Sequence, residues 1–137
     1  MLSTIAEAIH ARIEATGVFR VVEHSALPRV SAALPAAIHY LLEDLAFADR
    51  PEQTRDLSWS IAILAPAIGA DKGQSSALAC IDAVRDAFTG WLPFPTGGTT
   101  PTTVSEIVFS DLEEGLLLYH VKIKLRVLNM AGGRDIT

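Results

Sequence analysis

The sequence predicts an α+β fold, with two helices packed on one face of a mainly antiparallel sheet of about four to five strands. Segments 5–13 and 75–88 repeat apolar residues at the three- and four-residue spacing of amphipathic helices. The segments between and after them alternate apolar with polar residues, as strands with one buried face do. The order of helix, strands, helix and strands implies the α+β class, and a length of 137 residues suits a single domain.

The first helix is predicted from both of its ends. Thr4 and Glu7 have the spacing of a capping box, in which each side chain binds the backbone N–H of the other. Isoleucine then recurs at every fourth position over residues 5–13, which gives the helix one apolar stripe. Gly17 suits the position just past a helix, where a left-handed conformation is common.

The next part of the chain predicts a β-hairpin. The short segment 19–24 is rich in β-formers, and the prolines up to Pro35 predict an irregular connection after it. Residues 37–47 and 57–65 then have strand character, with a polar connection between them, although Leu41 and Leu42 of the first segment could also belong to a helix. The second of these strands alternates cleanly between apolar and small polar residues.

The second helix is predicted over residues 75–88, after a loop at 67–73 that holds two glycines. Gly90 ends this helix, and a loop rich in proline and glycine follows. Its predicted apolar stripe consists of Ala77, Leu78, Ile81, Val84 and Phe88.

A hairpin formed by residues 103–110 and 116–128 closes the predicted sheet, around an acidic turn. Alternation gives the second strand one wholly apolar face, from Leu117 to Val127. Its other face begins with Leu116 and Leu118 and ends in three cations, here called the cationic row: Lys122, Lys124 and Arg126. The strand would be about 40 Å long, so it either bends across the domain or extends past it.

The matched periodicities predict which residues form the core. The two helix stripes should pack on one sheet face, through Ile5, Ile9, Ile13, Leu78, Ile81, Val84 and Phe88. Their predicted partners in the sheet are Trp59, Ile61, Tyr119, Val121, Ile123 and Leu125. We therefore assign residues 1–130 to one domain and residues 131–137 to a flexible C-terminal tail.

Composition excludes several classes of protein. The chain has 137 residues and a formal net charge of −5, which argues against a protein that coats nucleic acid. Its single cysteine, Cys80, rules out an internal disulfide framework and fits a reducing compartment. No apolar run reaches the ~20 residues that a transmembrane helix needs. We expect a soluble protein of the cytoplasm, with no membrane partner and no sequence-specific nucleic acid.

The sequence predicts no catalytic, cofactor-binding or metal site. The four histidines are scattered, without a second ligand at metal-site spacing, and there is no phosphate-binding glycine loop. Cys80 lies on the predicted helix stripe, so we interpret it as a small buried side chain. Glu43 and Asp44 are neighbours in a strand and face opposite sides, so they cannot converge on one substrate atom without a bulge. We predict that His39, His120, Glu43 and Asp44 share no site.

The order of these elements resembles the phage tail terminator-like proteins, including small tail proteins of Mu-like prophages. The shared pattern is an amphipathic first helix at 5–13, a hairpin at 37–65 and a second helix at 77–88. A Gly-Trp-x-Pro segment at 90–93 and a hairpin with an acidic turn at 106–127 complete it. The resemblance covers nearly the whole chain but fits least well at residues 24–35, and residues after Met130 have no counterpart.

The resemblance implies a structural protein that needs no cofactor and catalyses no reaction. Members of this family form rings, commonly of six subunits, that cap the tail tube and offer a surface for joining the head. The implied partners are copies of this chain, the tail tube and the head–tail joining proteins. The implied location is the host cytoplasm during assembly, and the virion tail if the phage is functional.

Two alternatives stay open at the level of the sequence. The first is another neck or minor tail component of a phage or of a phage-tail-like contractile device. The second belongs to a different class, a small α+β enzyme or ligand-binding domain with a pocket between helix and sheet. Under the leading interpretation, the surface that meets a neighbouring subunit or partner consists of Leu116, Leu118, Lys122, Lys124 and Arg126.

Overall fold

The computed structural model describes residues 2–25, 34–46, 54–66, 70–94, 97–113 and 116–128. The predicted tail at 131–137 lies outside this part of the chain, as do most of the predicted irregular connection before Pro35 and the tip of the acidic turn. Two helices and five strands follow one another along the sequence: α1 (Leu2–Ala15), β1 (Val21–His24), β2 (Ala36–Ala46), β3 (Arg55–Pro66), α2 (Ala70–Phe88), β4 (Thr103–Glu113) and β5 (Leu116–Val127).

The five strands form one sheet in the order β1-β2-β3-β5-β4. Only β1 and β2 are parallel, and the remaining pairs are antiparallel. All of β5 pairs with β3, from Leu116 opposite Pro66 to Val127 opposite Arg55. The long last strand therefore lies in the interior of the sheet beside a strand of equal length, and it does not extend past the sheet. The predicted α+β class is confirmed.

The main core lies between the helices and one face of this sheet. Ile5, Ile9 and Ile13 of α1 are fully buried, as the four-residue spacing predicts. Trp59 and Ile61 of β3 lie beneath the helices, and β5 adds Val121, Ile123, Leu125 and Val127. The predicted register of β5 is confirmed, since a slip of one residue would have turned these side chains to the opposite face.

Two predictions about α2 are wrong. The helix begins at Ala70, inside the segment predicted as a loop, because a glycine such as Gly73 costs a helix only about 1 kcal/mol and does not end it. Leu78 is exposed rather than part of the core. The buried stripe runs through Ala77, Ile81, Val84 and Phe88, and Leu78 lies about 100° around the helix from Ala77.

The C-terminal ends of both helices follow the sequence, but the start of α1 does not. This helix begins at Leu2, so Thr4 lies within its first turn and not at the predicted cap. Gly17 and Gly90 both have positive φ, of 71° and 76°, so each occupies the left-handed conformation that favours glycine just past a helix. The Gly17 N–H donates to the Glu14 carbonyl oxygen, which binds one of the last free carbonyls of α1. Among the described helices, none is long and apolar enough to cross a membrane.

Candidate functional surface

The face of the sheet opposite the helices is here called the outer face, and in the described residues no helix covers it. Its centre is formed by the small side chains of β3, including Ser58, Ser60 and Ala62, which are buried. Longer side chains on β2, β4 and β5 stand on either side of them. The outer face is therefore a shallow furrow with small residues at its floor.

One end of the outer face is apolar. Leu116 and Leu118, half-buried, pack against a small cluster of Ile38, Ala62 and Leu64. This second cluster is separate from the core beneath the helices. Two of the five residues predicted for the partner surface therefore already make apolar contacts within their own subunit.

The other end carries the cationic row. Arg126 binds Asp56 on the neighbouring strand β3, with 2.9 Å between Nε and Oδ1, and this bond raises the pKa of its guanidinium further. Lys124 is exposed, and Lys122 is half-buried opposite Glu106 of β4. Lys124 and Arg126 line a groove of about 300 Å³ together with Glu43 and Asp56. The groove therefore carries both signs of charge.

A second groove of about 290 Å³ lies over the middle of the furrow. Its walls include Leu42 of β2 and Val108 of β4, and its floor holds Ser60 and His120. The Ser60 Oγ and the His120 Nδ1 are 3.3 Å apart, and burial lowers the pKa of His120. A serine beside a histidine can form a nucleophile and its base, but only 2% of Ser60 is exposed, which disfavours that role.

Three of the four histidines meet on the helix side, which sequence spacing did not predict. His39 of β2 contacts both His10 of α1 and His24 of β1. The His24 ring is stacked on the His39 ring, with 4.8 Å between ring centroids. The Trp59 indole N–H donates to the His39 Nδ1 at 3.2 Å, and the His39 Nε2 lies 2.9 Å from the His10 Nδ1. The His39 Nδ1 accepts from Trp59, and neutral imidazole carries only one N–H, so the proton of His39 is on Nε2. The His39 Nε2–H therefore donates to the His10 Nδ1.

The remaining candidate residues are spread over both faces of the sheet. His39 and His120 lie on opposite faces of the sheet, since their β3 partners are Ile61 and Ala62. Asp44 forms an ion pair with Arg55, 2.6 Å between Oδ1 and Nε, and Glu43 faces the outer side. Within the described part of the chain, no group of three potential ligands could hold a metal ion.

Cys80 is buried on α2, and burial raises the pKa of its thiol. A buried thiol with a raised pKa has little thiolate at neutral pH, and the thiolate is the reactive form. The position of Cys80 agrees with the small core side chain that the helix stripe predicts.

Comparison with known proteins gives a structural match without a sequence match. No family model matches the chain, and no curated protein matches its sequence. The fold is similar to that of a chain in the solved structure described as "Virion of native gene transfer agent (GTA) particle". The match has a TM-score of 0.60 and 17% sequence identity, and it covers 88% of this chain and 91% of that chain. This chain has the fold of a virion component.

Proposed function

We propose that this protein is a structural component of a phage-derived particle and that it acts as a tail terminator, without catalytic activity. The observation that carries the proposal is the shared fold with a virion chain, which extends over nearly the full length of both chains. A match of that extent involves the helices and the sheet together rather than one short motif. The order of elements in the sequence supports the same role.

The outer face supports an assembly role over a catalytic one. It offers an apolar end at Leu116 and Leu118 and a charged end at the cationic row. Assembly surfaces commonly combine an apolar centre with a polar rim. We propose that this face meets a neighbouring subunit or another tail protein, and that copies of the chain form a ring at the end of the tail tube. The number of six subunits rests on the family resemblance alone.

Electron microscopy of particles from the producing host tests the role directly. Antibody or gold label on an epitope-tagged copy should mark the head-proximal end of the tail, at a single site per particle. Particles made without the protein should contain separate heads and tails. Label along the whole tube, label on the head shell, or normal joined particles in its absence would each contradict the terminator role.

A further inference from the structure

The described part of the sheet is open along both of its sides. On one side β4 is outermost, and no described strand pairs with it on the side away from β5. On the other side β1 pairs only with the first four residues of β2, Ala36 to His39. The rest of β2, from Leu41 to Ala46, continues past β1 with no described partner on that side. Strand edges of this length present free backbone N–H and C=O groups that can pair with another chain.

Exposed apolar side chains are concentrated on these two edges. On β2, Leu42 and Leu45 are 48% and 54% exposed, and on β4, Val108 and Phe109 are 43% and 49% exposed. Large apolar residues on an open strand edge are an aggregation hazard unless another chain covers them. The two edges therefore share both features of a pairing site, a backbone without a described partner and exposed apolar side chains.

The bulges limit how such an edge can pair. The β4 register shifts between Val104 and Glu106 and again between Phe109 and Asp111, which leaves a regular segment from Glu106 to Phe109. The β2 register shifts between Leu41 and Glu43, and the strand is regular from Glu43 onwards. Bulges bend a strand and interrupt its ladder. Each edge thus offers one short regular segment, which favours a defined contact over open-ended aggregation.

We propose that the β4 edge of one copy pairs with the β2 edge of the next copy, so that the sheet continues from subunit to subunit. The inference deepens the proposed ring and rests on it. Because the two edges lie on opposite sides of the same subunit, the contact joins unlike surfaces. Such head-to-tail contacts close into a ring when the rotation between subunits allows it, whereas pairing of two β4 edges would stop at a dimer.

The test uses two edge variants and one control. Val108→Lys places a cation on the β4 edge, Leu45→Lys places one on the β2 edge, and Leu78→Lys changes an equally exposed leucine on α2. All three positions are exposed, so circular dichroism should show three folded proteins. Sedimentation should find both edge variants monomeric where the wild type and the control associate. An edge variant that associates like the wild type would overturn the proposal, and a Leu45→Lys variant that stays dimeric would indicate β4–β4 pairing.

Mixing the two edge variants gives the decisive result. Each mixture contains one intact β4 edge and one intact β2 edge, so a head-to-tail contact forms pairs and nothing larger. ¹⁵N-labelled Val108→Lys protein, titrated with unlabelled Leu45→Lys protein to millimolar concentration, should show amide shifts along its β2 edge. No shift in that mixture overturns the edge pairing. If the mixture shows no shift but the tagged protein still marks the tail end, the proposed function stands and only the edge pairing is overturned. If the tag does not mark the tail end, the proposed function is refuted whatever the mixture shows.

Discussion

Leu78 and Ile81 show what helical spacing can and cannot resolve at the scale of a single residue. Both fit an apolar stripe on α2 at three-residue spacing, yet Ile81 is 3% exposed and Leu78 is 48% exposed. The sequence could not separate them, because both fit the same three-residue spacing. Which of the two is buried depends on how α2 is rotated about its axis on the sheet, and spacing alone does not determine that rotation. Cys80, by contrast, was placed correctly.

This difference predicts unequal costs for the same substitution. Ile81→Ala should lower the free energy of unfolding by roughly 2–4 kcal/mol, because it leaves a cavity in the core. Leu78→Ala should change it by no more than about 0.5–1 kcal/mol, as exposed substitutions usually do. Urea denaturation followed by circular dichroism measures both. Equal costs would mean that α2 is rotated differently on the sheet.

The histidine cluster could not be found from the sequence, because its members lie in α1, β1 and β2 with no fixed spacing. Only the parallel pairing of β1 with β2 places His24 beside His39. Burial, followed by the charges of His24 and His10, lowers the pKa of His39 to about 3. Trp59 and His10 occupy both of its ring nitrogens, and Glu14 lies 3.7 Å from the His10 Nε2.

The lowered pKa of His39 predicts an acid-sensitive fold. Between about pH 6.5 and pH 3 the unfolded chain binds a proton at this residue that the folded chain excludes, so the free energy of unfolding falls as the pH is lowered through this range. His39→Gln retains one donor and one acceptor but does not titrate, so its stability should depend less on pH. Urea denaturation from pH 7.5 to pH 4.5 measures the slope, with Leu78→Ala, which removes no titrating group, as the control. An unchanged slope in His39→Gln would assign the acid sensitivity to other groups.

The positions of the strands along the chain were predicted better than the pairing of the strands in the sheet. The strict alternation over β3 and β5 identifies both strands and the face that each one buries, because its period of two matches the pleat. The bulge of β2 at Leu42 and the parallel pairing of β1 leave no such signal. The placement of β5 between β3 and β4 depends on contacts between distant segments, which a local pattern does not encode.

The alternation in β5 can be tested with adjacent residues. Ile123 is fully buried beneath the helices, and Lys124 is exposed on the outer face. Ile123→Asp buries an unpaired charge and should abolish cooperative unfolding, since such changes can exceed about 4–5 kcal/mol. Lys124→Asp should leave a folded domain with a normal near-ultraviolet spectrum. Two folded variants, or two unfolded ones, would contradict the register of this strand.

For the whole molecule, the sequence predicted the fold class and a partner surface, while the open edges emerged only from the topology. The surface residues Leu116, Leu118, Lys122, Lys124 and Arg126 all lie on the outer face, as their alternation predicts. Their environments differ, however, because Arg126 binds Asp56 and both leucines pack within the subunit. Lys124 is the exposed member of the cationic row.

We therefore expect Lys124 to report on assembly through the outer face. Lys124→Glu should weaken association mildly, and the loss should shrink at high salt, because ions screen exposed charges. Arg85→Glu reverses a charge on the exposed side of α2 and serves as the control. Sedimentation at low and high salt compares the two variants with the wild type. Equal behaviour of Lys124→Glu and Arg85→Glu would remove Lys124 from the interface.

Leu118→Asp tests the apolar end of the same surface. Because Leu118 already packs against its own subunit, circular dichroism must first establish that the variant folds. A folded variant should shift towards monomer more strongly than Lys124→Glu, since covering a leucine contributes roughly 1.5–3 kcal/mol. A folded Leu118→Asp protein that associates like the wild type would show that this leucine serves only the second cluster.

The interior position of β5 also bears on how the chain is made. Synthesis runs from the N-terminus, so β5 leaves the ribosome after the other four strands, yet β3 and β4 both pair with it. Until β5 emerges, β3 lacks one neighbour, β4 lacks its only described one, and the surface beneath α2 is incomplete. Folding must therefore wait for the last strand and then form contacts between distant segments, which is slow. Until then, nascent chains on the same messenger RNA hold unpaired strands close together. Protection by chaperones is therefore more important for this protein than for a domain built from local contacts.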